Sequence, residues 1–248
     1  MKRRFGLIGY PLSHSFSRKF FSDKFSNEGI DAEYLNYEID NIDLLPEIIA
    51  SDPDLKGLNV TIPYKEQVIK LLDKVDEAAA EIKAVNTIKI NRNGDHLSLE
   101  GFNTDIIGFR DSIKPLLQKC HHKALILGSG GASKAIIRVL TDLGLETMIV
   151  SRNPQYKGEI SYTDLDEDVL ENYKVIVNTS PIGTFPKVEG CPAIPFEFIN
   201  EQHLLYDLVY NPSETEFLKQ AKIRGASIKN GLEMLHLQAL ASWEIWNR

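Results

Sequence analysis

The sequence predicts a two-domain α/β protein, with a mixed sheet in the first hundred residues and a parallel, doubly wound sheet after about residue 105. Three observations point there. Strand-like apolar runs alternate with helical stretches along most of the chain, the pattern of layered α/β folds. After Asp105, four short apolar runs, Ala124–Leu127, Thr147–Val150, Val175–Asn178 and Leu204–Val209, are separated by helical segments. Such runs suit parallel strands buried on both faces. The length, 248 residues, suits one or two domains.

Taken in order, Phe5–Gly9 reads as a first strand. Phe16, Phe20, Phe21 and Phe25 then recur at helical spacing, with Gly29 placed to end that helix. A strand over Glu33–Ile39, a helix over Asp43–Ser51 and a short buried strand over Leu58–Thr61 follow. Lys65–Leu72 and Glu77–Lys83 read as helices. Val85–Ile90 and Leu97–Phe102 flank Asn93-Gly94, a pair suited to a hairpin turn with positive φ. Ile106, Phe109, Ile113, Leu116 and Leu117 mark a helix that bridges the two halves. Lys134–Leu143 is a helix, Ser227–Asn230 a last strand, and Leu232–Trp246 a helix expected to pack back on the first domain.

Composition narrows the function. Apolar residues make up 43% and charged residues 25%, as in ordinary globular proteins. A net charge of −7 argues against a chain-wide basic surface for nucleic acid. No apolar run approaches a membrane span. The basic start Met1-Lys2-Arg3-Arg4 is followed by too short an apolar run, Phe5–Ile8, for a secretion signal. Cys120 and Cys191 are too few for a disulfide framework and lack zinc-ligand spacing. A cytoplasmic, reduced protein without a metal is therefore expected.

The most mechanical signal is Ala124-Leu125-Ile126-Leu127-Gly128-Ser129-Gly130-Gly131-Ala132-Ser133. A buried strand runs into glycines and then into a helix. Gly128 permits the tight turn, Gly130 lets backbone N–H groups approach a pyrophosphate, and the helix N-terminus adds partial positive charge. Ser133 stands where the fingerprint has its third glycine. This is a Rossmann-type dinucleotide turn. An NAD site would place an acid some 20 residues later, on the ribose 2′-hydroxyl. The chain instead has Met148-Ile149-Val150-Ser151-Arg152-Asn153. Arg152 offers a planar cation to a 2′-phosphate and Ser151 a hydroxyl, so NADP is the better reading. An ordinary solvated arginine after a strand remains the alternative.

A second constellation is polar and lies in the first domain. Asn59-Val60-Thr61-Ile62-Pro63-Tyr64-Lys65 ends a short strand, and in extended chain Asn59 and Thr61 face one way. Lys65 would land on a helix's first turn, where the macrodipole disfavours a cation. It is either solvated there or placed for a task. Ser13-His14-Ser15, Asn86 and Gly101-Phe102-Asn103-Thr104-Asp105 add polar groups at strand ends. Ser13 or Ser15 could equally be helix caps, as could Asp105, while Asn86 could be a strand-edge amide and His14 a structural residue.

Together these segments resemble the shikimate dehydrogenase family over essentially the whole chain. The resemblance rests on Gly6–Ser15, Asn59-Val60-Thr61 with Pro63 and Lys65, Ala84-Val85-Asn86-Thr87, Gly101–Asp105 and the Gly128–Ser133 turn. It extends through Asn178-Thr179-Ser180-Pro181-Ile182-Gly183, Asp207-Leu208-Val209-Tyr210-Asn211-Pro212 and Gly231-Leu232-Glu233-Met234-Leu235 to Gln238. It implies an enzyme that reduces 3-dehydroshikimate to shikimate with NADPH, on the way to chorismate and the aromatic amino acids. By matched position, Ser13 and Ser15 would bind the substrate carboxylate, with Tyr210 at the same end. Asn59, Thr61, Asn86, Asp105 and Gln238 would hold ring hydroxyls, and Lys65 and Asp105 would be the catalytic pair. Gly128, Ser129, Gly130, Gly131 and Ala132 would cradle the pyrophosphate, and Ser151, Arg152 and Asn153 the 2′-phosphate. Thr179, Ser180, Leu208 and Gly231 would lie along the nicotinamide half. Two departures stand out: the family commonly has Asn-Arg-Thr and a further basic residue where this chain has Ser151-Arg152-Asn153-Pro154-Gln155, and Thr184 replaces a common methionine.

The expected domains are an α/β/α mixed-sheet substrate domain, residues 1–104 completed by a helix from Gly231, and an NADP-binding domain, residues 105–230. The active site would be the cleft between them, closing near Asn103–Asp105 and Asn230–Gly231. Lys65 as ammonium would donate the proton during ketone reduction while Asp105 fixes it. A neighbouring carboxylate favours the charged amine, which suits the reductive direction. A water relay with Lys65 only stabilising charge is the alternative. Two other readings stay open: a quinate or quinate/shikimate dehydrogenase using NAD or NADP, and a non-catalytic NADPH-binding regulatory module. The expected partners are the small substrate and a second copy at most, as monomer or homodimer, with neither nucleic acid nor membrane.

Overall fold

The computed structural model describes residues 2–12, 16–94 and 96–248. The chain forms two compact units, Met1–Thr104 with Ala239–Arg248, and Asp105–Gln238.

The first unit contains β1 (Arg3–Gly9), α1 (Phe16–Asn27), β2 (Ala32–Glu38), α2 (Leu45–Ser51), β3 (Leu55–Val60), β4 (Lys74–Val75), α3 (Glu77–Ile82), β5 (Thr87–Asn93) and β6 (His96–Phe102). The strands form one mixed sheet in the order β2-β1-β3-β5-β6-β4. β1 runs parallel to β2 and β3, whereas β5 is antiparallel to both β3 and β6. Gly94, with φ +59°, makes the expected hairpin turn. Leu58, Val68, Val85 and Ile88 fill one core, and Phe5, Phe21, Phe25 and Tyr34 another. Trp246, at the end of the C-terminal helix, packs into the second core and donates its indole N–H to Ile88 O at 3.0 Å. Gly57 makes this possible, because a Cβ there would overlap the indole.

The second unit holds most of α4 (Thr104–Ile113), then β7 (Lys123–Leu127), α5 (Gly131–Asp142), β8 (Glu146–Ser151), β9 (Glu159–Ser161), α6 (Glu167–Asn172), β10 (Val175–Asn178), β11 (Leu204–Asp207), α7 (Glu216–Ile223), β12 (Ser227–Asn230) and the first half of α8 (Leu232–Trp246). Its sheet is parallel throughout, in the order β12-β11-β10-β7-β8-β9. Numbered within the sheet, that is 6-5-4-1-2-3, the order of a Rossmann domain, with the chain reversing direction across the sheet between β7 and β10. β10 and β11 are wholly buried and β7 nearly so, which explains their unbroken apolar runs.

The structure departs from expectation in four places. The helix expected at Lys65–Leu72 is a 3₁₀ coil over Gln67–Leu71, and Lys65 precedes it in a turn. This stretch is tied at both ends, by Val85 N donating to Lys65 O at 2.8 Å and Asp73 N to Leu99 O at 3.0 Å. A helix-dipole penalty on Lys65 therefore does not apply. The strand expected over Leu204–Val209 stops at Asp207, whose carboxylate takes the Val209 N–H and turns the chain. Two short strands, β4 and β9, escape a reading based on apolar runs. Finally, the segment from Gly231 is divided: Leu232–Gln238 groups with the second unit and Ala239–Arg248 with the first. Among the described residues, no helix is long and apolar enough to cross a membrane.

Candidate active site

The glycine-rich turn leaves β7 at the topological switch point, where ligands of open α/β sheets bind. Gly128 has φ +110°, a conformation that disfavours any side chain. Gly130 caps α5 with no side-chain hydrogen bond. A Cβ built on Gly130 or Gly131 would meet no protein atom within 4 Å. The fold itself thus does not require glycine at these two positions, and Gly130 faces the open cavity beside this turn. Ser133 is buried and donates its hydroxyl back to Gly130 O at 2.6 Å, locking the turn.

A cavity of about 710 Å³ opens beside this turn, large enough for much of a dinucleotide. Of the expected cofactor residues, Gly128, Ser129, Gly130, Ser151, Arg152, Asn153, Thr179 and Ser180 line it, whereas Gly131, Ala132, Leu208 and Gly231 do not. Sequence reasoning missed Gln155, Tyr156, Glu159 and Tyr162 in its wall. Arg152 makes no hydrogen bond or ion pair among the described residues, so its guanidinium is available to an anion. Burial pushes the Tyr162 phenol up, and Arg152 pulls it partly back, which places that cation's field on the cavity wall. Lys157 is exposed and outside the lining. The open cradle, the helix N-terminus and the unneutralised arginine fit a phosphorylated dinucleotide.

On the other side of the switch point, a buried network fixes the next loops. Thr179 Oγ1 donates to Leu127 O at 3.0 Å and Gly128 O at 3.2 Å, joining the β10 loop to the glycine turn. Ser180 donates its hydroxyl to Asn178 Oδ1 at 2.7 Å, and the Asn178 amide donates to Asp207 Oδ1 at 2.9 Å. Asp207 also accepts from Val209 N at 3.0 Å and from the Thr215 hydroxyl at 2.5 Å. Its carboxyl is fully buried, which pushes its pKa up to about 6 although the three donors pull it down. Leu208 N donates to Asn178 O, and Gly231 lies so close to Leu208 O that a Cβ would overlap it. Leu208 and Gly231 are therefore placed by this network rather than by the cavity.

The polar end of the first unit centres on Asn86, which is buried. Its Oδ1 accepts from Thr104 N at 2.7 Å and from the Thr104 and Thr87 hydroxyls at 3.1 Å each. Its amide nitrogen donates to no described residue and remains available. Asn86 thus pins the residue immediately before Asp105, while the neighbouring Val85 N holds the Lys65 carbonyl. Thr61 follows β3 and is half-buried beside Gly9, where a Cβ would strike the Thr61 methyl. Asn59 differs from expectation. Its oxygen accepts from Tyr34 OH at 2.8 Å, and its amide donates to Ser242 Oγ at 2.9 Å, Thr87 Oγ1 at 3.1 Å and Asn86 O at 3.3 Å. These bonds take up its hydrogen-bonding capacity inside the fold and tie it to the Asn86 carbonyl.

In the second unit, Asp105 stands in the first turn of α4 and Gln238 on α8, where its amide donates to Leu235 O at 2.8 Å. These helices meet at Gly108, where a Cβ would lie 2.5 Å from Met234 O and 3.0 Å from Gln238 N. Tyr210 is about 41% exposed. Ser13, His14 and Ser15 lie outside the described residues.

Comparison with known proteins fits this arrangement. Residues 7–88 match the family model described as the shikimate dehydrogenase substrate binding domain. The shikimate dehydrogenase (NADP(+)) of Halothermothrix orenii is 40% identical over 97% of this chain and 89% of its own. The crystal structure of shikimate dehydrogenase from Aquifex aeolicus superposes with a TM-score of 0.85 at 35% identity, covering 99% of this chain and 92% of the other. That of the Thermus thermophilus enzyme, a complex with NADP(H) and shikimate, gives 0.84 at 30% identity over 98% and 93%.

Proposed function

The chain belongs to the shikimate dehydrogenase family: it is an NADP-linked oxidoreductase that interconverts 3-dehydroshikimate and shikimate, and we propose that Lys65 and Asp105 handle the proton of that reaction. We assign the substrate's grip chiefly to the first unit, in keeping with the family match over residues 7–88, and the nucleotide to the second. The pathway leads to chorismate and the aromatic amino acids, and we place the enzyme in the reducing cytoplasm, where Cys120 and Cys191 remain free thiols.

When bound, the nicotinamide supplies or takes the hydride at the substrate C3. The chain's own residues align the partners and manage one proton. In the reductive direction the Lys65 ammonium donates to the C3 oxygen as negative charge develops there. Asp105 orients that amine and accepts from the adjoining ring hydroxyl. The Asn86 amide, Thr61 and Gln238 hold the remaining hydroxyls, while Ser13, Ser15 and Tyr210 take the carboxylate. Asn59 acts one step removed, by holding Asn86. Arg152, with Ser151 and Asn153, receives the 2′-phosphate, and the glycine turn receives the pyrophosphate.

One observation carries this reading: the Asn86 side chain is clamped by its oxygen to Thr104, leaving its donors unengaged beside the segment that bears Lys65. The test is a steady-state assay offering shikimate and quinate against NADP and NAD. Faster turnover of shikimate than quinate, with NADP preferred, is the expected result. Faster quinate turnover with NAD, or tight NADPH binding with no turnover at all, would overturn it.

A further inference from the structure

The cavity wall contains a carboxylate that apolar patterning along the chain does not reveal. Just past β8, where an NAD enzyme would carry its ribose-binding acid, this chain has Arg152. The loop that follows returns as β9, parallel to β8, with Glu159 paired beside Ile149. Glu159 is the one carboxylate among the described residues lining the cavity, and Arg152 the one cation. The two are not paired with each other: Arg152 forms no ion pair among the described residues, and Glu159 instead accepts from Gln155 N at 2.8 Å through Oε2. That bond, with Glu159 N donating to Tyr156 O at 3.1 Å and Ile149 N to Gly158 O at 3.0 Å, folds the loop 155–159 tightly against the sheet. The second carboxylate oxygen is left uncommitted.

We propose that Glu159 is a coenzyme-selecting residue: its carboxylate, in the same wall as Arg152, opposes a 2′-phosphate and accepts a 2′-hydroxyl, so the enzyme uses NAD alongside NADP. The inference rests on the nucleotide site proposed above and deepens it. A 2′-phosphate carries close to two negative charges at neutral pH and gains from Arg152 but loses to Glu159. An unphosphorylated ribose presents a hydroxyl donor, for which a carboxylate is the stronger acceptor. No second basic residue among the described residues lines the cavity to restore the balance; Lys157 is exposed and not part of the lining. NADP therefore keeps an advantage from Arg152, but a reduced one.

The substitution Glu159→Gln isolates charge from shape, because a glutamine oxygen can still accept from Gln155 N and hold the loop. Calorimetry with adenosine 2′,5′-bisphosphate and with AMP measures the nucleotide site without turnover. The expected result is about tenfold tighter binding of the bisphosphate in Glu159→Gln relative to AMP, with the NADP/NAD ratio of kcat/KM rising by a similar factor. Arg152→Gln should move both ratios the opposite way, showing that the probes read this wall. If Arg152→Gln shifts the ratios and Glu159→Gln leaves them unchanged, the proposal is wrong. Absence of shikimate oxidation with either coenzyme would instead remove the dehydrogenase reading, and the calorimetric ratio would still decide the role of Glu159.

Discussion

The Asn178 amide donates to the Asp207 carboxylate at 2.9 Å, joining the ends of adjacent parallel strands β10 and β11 beneath the loops that flank the switch point. Both side chains are fully buried, and each holds a loop: Asn178 the one beginning Thr179-Ser180, Asp207 the one beginning Leu208-Val209. Asp207 has its folded-state pKa raised by burial to about 6, above its value in an unfolded chain. A carboxyl shifted this way contributes stability that is fully present below the unfolded value and is lost as pH rises through the folded one. Asp207→Asn, which mimics the protonated form, should therefore gain on the natural protein by about 2 kcal/mol between pH 4.5 and pH 8. Urea denaturation of both proteins at the two pH values measures this; a gap independent of pH would contradict it.

Gly130 separates the demands of folding from those of the ligand. A Cβ there meets no protein atom, so Gly130→Ala should change stability by about 1 kcal/mol or less. The same methyl would enter the cradle, and the NADPH dissociation constant should rise at least about tenfold. Fluorescence titration with NADPH and thermal denaturation together check it. Unaltered NADPH affinity would mean that the turn does not receive phosphate.

Asn59 and Asn86 should fail differently. Asn59→Ala takes the Asn59 acceptor from the buried Tyr34 hydroxyl and removes one donor to Ser242, and should lower stability by about 1–3 kcal/mol. Asn86→Ala removes donors that no described residue uses, and should raise the shikimate KM by about tenfold or more. A larger KM effect in Asn59→Ala than in Asn86→Ala would reverse the assignment.

Gly231→Ala tests the close approach of the chain to Leu208. The added methyl would overlap the Leu208 carbonyl, a backbone atom held in place because Leu208 N bonds to Asn178 O. The strand end must shift, and the NADPH KM should rise several-fold while the shikimate KM changes less. Equal changes in both would show that Gly231 serves packing alone.

The legible parts of this molecule were those whose signal is local. The run Ala124–Leu127 followed by Gly128 and Gly130 encodes strand, turn and helix within ten residues, and the structure places the turn at the switch point of a Rossmann-ordered sheet. The Asn93-Gly94 hairpin is equally local. Periodicity places Lys65 on a helix because it registers Val68, Ile69, Leu71 and Leu72 but not the ties of Lys65 O to Val85 N and of Asp73 N to Leu99 O, which link this stretch to distant segments. Glu159 was invisible for a related reason: β9 has three residues, two of them polar, and its position follows only from pairing with β8. For Asn59, spacing along a strand shows which side the residue faces, not what occupies that side. Tyr34, Thr87 and Ser242, from three distant segments, take up its hydrogen bonds.

The proposed chemistry depends on Lys65 handling the proton, and truncation of that side chain is the most direct measurement. Steady-state kinetics of Lys65→Ala with shikimate and NADP should show kcat reduced at least about 100-fold and the shikimate KM within a few-fold of the natural enzyme. A large rise in KM with kcat intact would show instead that Lys65 only binds, and that the proton travels by another route.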